Sequence, residues 1–142
     1  MATLCAAAAS PADADSLLPN RPGSYSGPSG HCFAETIPKE SYGTDGVTRV
    51  YRVGGEGDEL TDTYPWFSHR LDLRCDFSRN GESGALLVRF GPLASGGEAS
   101  DEDIAFTFYF RGVALSRIST LDIAGDPDGA DDMVLFTVAR SF

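Results

Sequence analysis

The cysteines are the residues with the most distinctive chemistry in this 142-residue chain, and there are three of them, Cys5, Cys32 and Cys75. If residues 1–14, which include Cys5, are removed on export, an even number of cysteines remains. Two cysteines in an exported chain indicate one disulfide. We therefore expect Cys32 and Cys75 to be bonded, with their Cα atoms about 4.4–6.8 Å apart. The alternative is a cytosolic protein in which both are buried free thiols.

A zinc site formed by these cysteines and the nearby histidines is disfavoured. His31 and Cys32 are adjacent rather than spaced as a chelating pair, and the chain has no C-x-x-C. Structural zinc sites need four ligands at suitable spacing. His69 alone does not complete such a set.

An acidic turn is the only candidate for a metal. Four carboxylates, the last from Asp132, surround Gly129, as at the start of a calcium loop, but the bidentate Glu that closes such loops is missing. Asp-Pro-Asp-Gly also makes a turn by itself. We therefore expect no cofactor and carboxylates that diverge into solvent, with calcium as the alternative. The candidate ligands are Asp126, Asp128 and Asp131.

Two features of the sequence could support catalysis. Gly81-Glu82-Ser83-Gly84 partly matches a serine nucleophile turn, but that turn must join a strand to a helix. Here Asn80-Gly81 predicts a hairpin between two strands, so Ser83 is not expected to react. The remaining enzymatic alternative is a small hydrolase or lyase that uses His69, with nearby Asp or Arg residues, in a barrel mouth.

Aromatic and acidic residues near loops are the candidates for binding. Tyr and Trp on a loop serve protein recognition, or they cap the open end of a core. We expect a buried Trp66 ring and a partly exposed Tyr64. Acidic loops gathered at one end would attract a basic partner. The candidate residues are Tyr64, Trp66, Asp58, Glu59, Asp101 and Glu102.

Net charge and hydropathy limit the classes of partner that we expect. The formal charge is -10, from 21 acidic and 11 basic residues, which would repel a phosphate backbone. No apolar run reaches the roughly 18 residues that a membrane-spanning helix requires. We therefore expect a protein partner, neither nucleic acid nor a membrane span.

Alternation with a period of two dominates the pattern. Odd positions from 67 to 77 are mostly apolar, and even positions are polar or charged. This pattern predicts a strand with one buried face and one face in solvent. Further strands are predicted at 47–53, 85–90, 104–111, 113–123 and 133–139. The fold expected is all-β, a six- to seven-stranded antiparallel sandwich or barrel with an irregular N-terminal leader.

Some predicted strands are apolar on both faces. This holds for Leu86 to Val88, Phe106 to Phe110 and Val134 to Phe136. Either a helix, the leader or a partner covers the second face, or β propensity alone placed these residues there. The core predicted from the period consists of Leu71, Leu73, Phe77, Phe106, Phe108 and Phe110.

The chain divides into three parts. Residues 1–14 are either the remnant of a signal peptide, since Ala12 and Ala14 match the cleavage pattern, or a disordered tail. Residues 15–31 form a leader rich in Pro and Gly, and residues 32–142 form a single β domain. A signal peptide and a disulfide together predict a periplasmic or secreted protein.

These observations favour an exported, non-enzymatic module that binds a protein partner through a β edge or an aromatic loop. The acidic loops would favour a partner with a basic surface. An inhibitor or immunity-type protein is one form of it. A structural subunit of a surface assembly is the other alternative to the enzyme.

Overall fold

Two antiparallel sheets of four strands each make up the fold. The computed structural model describes residues 18–91 and 99–125. The first sheet has the strand order β1-β2-β3-β4 and the second has β5-β6-β7-β8, which confirms the all-β prediction as a sandwich. The elements are β1 (Gly23–Ser26), β2 (Cys32–Pro38), β3 (Gly46–Arg52), β4 (Glu59–Tyr64), β5 (Leu71–Arg79), β6 (Glu82–Phe90), β7 (Ile104–Phe110), β8 (Val113–Ser119) and the short helix α1 (Thr120–Ala124).

Tight turns connect β5 to β6 and β7 to β8 in the second sheet. Asn80 and Gly81 have φ of 54° and 81° between β5 and β6, as a type I′ turn requires, so the predicted hairpin is confirmed. Arg111 and Gly112, with φ of 49° and 79°, connect β7 to β8 in the same way. Both turns match the twist of the strands they join.

The strand predicted from residue 67 begins later, at Leu71. The Ser68 hydroxyl donates to the carbonyl of Arg70 (2.9 Å), and the Ser68 N–H donates to Thr36 Oγ1 (3.2 Å). These bonds hold the backbone outside the strand ladder, because a serine side chain offers the backbone a local alternative to sheet pairing. Phe67 and Ser68 are therefore both buried, although they are neighbours.

A bulge in β5 makes the predicted core partly wrong. Two residues, Cys75 and Asp76, face the single Ala85 of β6, because the register shifts between Arg74 and Phe77. The extra residue reverses the alternation. Leu73 therefore faces the first sheet, whereas Phe77 points away from it and contacts the ring of Phe110.

The core lies between the sheets, and β7 faces it with Ala105, Thr107 and Tyr109. Leu73, Leu87 and Tyr109 are consecutive cross-strand neighbours on the inner face. Because side chains alternate along a strand, the phenylalanines of β7 lie on the outer face and do not share this core as predicted. The buried cluster consists of Cys32, Ala34, Val50, Tyr64, Trp66, Leu71, Leu73, Ala85 and Leu87.

The outer face of the second sheet is apolar. Leu86 and Phe110 are only 9% and 5% exposed there, although both point away from the core. The part of the leader that the structure describes does not cover this face, because its strand β1 pairs with β2 at the edge of the first sheet. This face also carries Phe77, Val88, Phe90, Phe106 and Phe108 and, from β8, Val113 and Ile118.

Several predictions fall outside the described residues. They are the signal-peptide remnant at 1–14, the acidic turn at 126–132 and the last strand at 133–139.

Candidate functional site at the disulfide end of the sandwich

The predicted disulfide joins the two sheets. Cys32 of β2 and Cys75 of β5 are bonded, with Cα atoms 5.4 Å apart, which confirms the expected range. Gly27 packs against the bond so closely that an added Cβ would lie 2.3 Å from Cys75 Sγ. Cys32 is 4% exposed, whereas Cys75 is half-buried. One end of the sandwich is therefore crosslinked, and we call it the disulfide end.

A cavity of about 240 Å³ opens beside the disulfide. Both cysteines line it, together with His31 and Arg52. Val53 and Ala85 form an apolar part of the cavity wall. The volume suits one side chain or a similarly small group rather than a large ligand, since drug-sized sites start at roughly 300 Å³.

Two exposed contacts between a basic and an acidic side chain flank this cavity. His31 Nδ1 lies 3.6 Å from Asp76 Oδ2, and Arg52 Nη1 lies 3.7 Å from Glu59 Oε2. All four side chains are more than half exposed. Exposed pairs at such distances stabilise a fold by at most about 1 kcal/mol. A bound partner could therefore displace either contact at little cost in free energy.

An apolar surface continues from the cavity onto the β3–β4 hairpin. Val53 is 49% exposed and Leu60 is 51% exposed. Leu60 pairs with Tyr51, whose ring stacks on Phe33 with centroids 4.9 Å apart. Phe33, Tyr51 and Leu60 thus form one row across the outer face of the first sheet. We call the row, together with Val53, the hairpin surface.

The predicted acidic residues do not form one site. Asp58 and Glu59 are exposed at the disulfide end, because Glu59 pairs with Arg52, which in turn pairs with Cys32. Asp101 and Glu102 are also exposed, but they precede β7, next to the end of β6. Since β6 starts near Cys75 and runs away from it, that loop lies at the opposite end of the sandwich.

The aromatic candidates Tyr64 and Trp66 lie in the core. They are 2% and 8% exposed, and both rings contact that of Tyr109. The burial expected for Trp66 is confirmed, whereas the partial exposure expected for Tyr64 is wrong. Tyr64 closes the β4 edge of the core, where its hydroxyl accepts a hydrogen bond from the Gly112 N–H (3.3 Å).

Burial also changes the acidity of Tyr64. Desolvation, with the charge of Asp62 as a smaller cause, raises the pKa of its phenol to about 12. The hydrogen bond from Gly112 acts in the opposite direction. The phenol is therefore a neutral, structural group at physiological pH.

The catalytic candidates lie away from the cavity. His69 is exposed in the segment before β5, with its ring edge-on to Phe67 at 4.9 Å. Its carbonyl accepts a hydrogen bond from the Tyr25 hydroxyl. Ser83 is exposed in β6 and pairs with Ser78 of β5. Neither side chain lines the cavity at the disulfide end.

No cluster of three or more His, Cys, Asp or Glu side chains able to hold a metal occurs within residues 18–91 and 99–125. Cys32 is bonded to Cys75 and so does not act as a zinc ligand. The calcium candidates Asp126, Asp128 and Asp131 lie outside this part of the chain.

Sequence reasoning missed the hairpin surface. Val47 to Val53 alternates, but both of its faces carry apolar residues, so the pattern did not distinguish inside from outside. The acidic pair Asp58 and Glu59 was the one signal that pointed to this hairpin.

No family model matches the chain, and no curated protein or solved structure is significantly similar to it. Among the helices that the structure describes, none is long and apolar enough to cross a membrane.

Proposed function

We propose that this protein is an exported, non-enzymatic binding module that recognises a protein partner with the hairpin surface and the adjoining cavity. An inhibitor or immunity-type protein is one form of this function. The observation that carries the proposal is the exposure of Val53 and Leu60 beside a cavity of side-chain size. Protein interfaces commonly place apolar contacts around a pocket that accepts an anchoring side chain.

Charge supports a basic partner. The formal charge of the chain is -10, and Asp58 and Glu59 lie exposed on the β3–β4 hairpin next to the apolar residues. Complementary charge at the rim of an apolar patch accelerates association and favours partners of opposite sign. A positively charged protein surface is therefore the expected ligand.

Export is supported by the disulfide, since such bonds persist in oxidising compartments. A periplasmic or secreted location would bring the module to its partner after cleavage of the signal peptide at 1–14.

The test is quantitative capture of partners from the exported fraction of the source organism. The immobilised chain should retain one protein stoichiometrically. Leu60→Asp should weaken this retention at least about tenfold, because it places a charge within the apolar surface.

Ile123→Asp is the matched control. Ile123 is 50% exposed, close to the 51% of Leu60, but it lies in α1 at the opposite end of the sandwich. It should retain the partner, and both variants should keep the melting temperature of the parent. Equal retention by Leu60→Asp and Ile123→Asp would refute the proposed surface.

A further inference from the structure

We propose that Cys75 Sγ is a thiol–disulfide exchange site, reached through the cavity, and that its reagent is a low-molecular-weight anionic thiol. The proposal is independent of the protein-binding function.

The two cysteine residues differ in their exposure. Both cysteines line the cavity, but Cys32 is only 4% exposed, whereas Cys75 is half-buried. Exchange requires a thiolate to touch one sulfur of the bond, so access decides which sulfur is attacked. A thiol that enters the cavity therefore meets Cys75. A volume of about 240 Å³ admits a thiol side chain without unfolding of the sandwich.

The guanidinium of Arg52 in the cavity wall favours an anionic reagent. The chain as a whole repels anions, since its formal charge is -10. Arg52 nevertheless lines the cavity, and its pair with Glu59 is exposed and longer than a hydrogen bond. The other two ionisable residues of the wall, His31 and Asp76, lie 3.6 Å from each other. A nearby cation stabilises thiolates and guides them to the sulfur.

The exchange proceeds in two balanced steps. The thiolate attacks Cys75 Sγ, the S–S bond breaks, and Cys32 leaves as a thiolate that takes a proton from solvent. A second thiol attacks the mixed disulfide, which releases Cys75 as a thiol and the reagent as its oxidised dimer. The protein gains two electrons and two protons, and two reagent thiols are oxidised to one disulfide.

Exchange would remove the crosslink between the sheets at the disulfide end. The bond connects β2 to β5, and Gly27 of the β1–β2 turn packs against it. A reagent attached to Cys75 would also occupy the cavity. The site thus provides a reversible modification of this end of the molecule.

The first experiment maps the adduct in a Cys5→Ser background, which removes the third cysteine. The folded protein is incubated with reduced glutathione, quenched with acid and examined by peptide mass spectrometry. We expect a mixed disulfide on Cys75, formed at least about tenfold faster than global unfolding measured under the same conditions. An adduct mainly on Cys32, or reduction no faster than unfolding, would overturn the proposal.

The second experiment tests the role of charge. Arg52→Gln should slow the reaction with glutathione about threefold or more, and it should leave the reaction with neutral 2-mercaptoethanol unchanged. Arg111→Gln is the control, because Arg111 is similarly exposed and forms an ion pair of similar length with Glu82 (3.9 Å) without lining the cavity. Equal slowing by both variants, or with both thiols, would show that Arg52 does not guide an anionic reagent.

Discussion

The guanidinium carbon of Arg89 lies 4.5 Å from the centroid of the Trp66 ring. Arg89 belongs to the inner face of the second sheet, between its cross-strand neighbours Leu71 and Thr107. One Nη donates to the carbonyl of Phe67 (3.3 Å), whereas the buried Nε has no hydrogen-bond partner among the described residues. The only Trp of the chain is therefore held between the core and a partly desolvated cation.

Arg89→Met should lower the free energy of unfolding by about 1–2 kcal/mol. It removes the cation–π contact and the bond to Phe67, and it offsets part of this loss by removing the Nε without a partner. Urea unfolding followed by Trp66 fluorescence measures the change. Arg117→Met, at an exposed position of β8, should change stability by less than about 0.5 kcal/mol. A more stable Arg89→Met variant would show that the desolvation of Nε outweighs both contacts.

Gly27→Ala should destabilise the fold by about 1–3 kcal/mol, as overpacking of a filled site does. The new Cβ would lie 2.3 Å from Cys75 Sγ and 3.2 Å from Cys32 Sγ. Gly55→Ala is the matched control, because a Cβ there meets nothing within 4 Å. Thermal melts of both variants measure the difference. The penalty at Gly27 should shrink in a Cys32→Ala/Cys75→Ala background, and an unchanged penalty would contradict the steric explanation.

The double substitution Cys32→Ala/Cys75→Ala should itself cost about 4 kcal/mol in the chain-entropy model. The bond closes a loop between residues separated by 43 positions, so it restricts the unfolded chain strongly. Urea unfolding compared with a Cys5→Ser variant, which keeps the bond, isolates this effect. A loss below about 1 kcal/mol would mean that the unfolded chain is already compact near these residues.

Stability should fall as pH rises above 10 because of Tyr64. Its pKa is about 12 in the folded protein and 10.0 in the reference state. Below pH 10 the phenol is protonated in both states, so this contribution is fully present. Between the two values the unfolded chain releases the proton and the folded protein keeps it, so the contribution is lost at up to about 1.4 kcal/mol per pH unit.

Urea unfolding between pH 9 and 11.5 tests this dependence. Tyr64→Phe should flatten the slope, although it loses the hydrogen bond from Gly112 and is less stable throughout. Tyr42→Phe, which removes a phenol that is 56% exposed, is the control. An unchanged slope in Tyr64→Phe would assign the alkaline loss to other groups.

The sequence alone determined the features that depend on local pattern. Alternation predicted antiparallel strands, Asn80-Gly81 predicted a hairpin, and an even pair of cysteines predicted the bond between Cys32 and Cys75. Each of these follows from the period of a strand, the backbone conformation of a turn or the chemistry of a thiol.

Tertiary structure decided which face of each strand became the inside. The alternation of β7 places its phenylalanines on one face and Tyr109 on the other. Hydrophobicity alone would predict that the phenylalanines face the core, but packing against the first sheet put Tyr109 there instead. The bulge at Cys75 and Asp76 reversed the pattern of β5 without any Gly or Pro to mark it. Pairing of distant strands also placed Asp58 and Asp101 at opposite ends and assembled the cavity. These features depend on register between strands, and a local period carries no information about register.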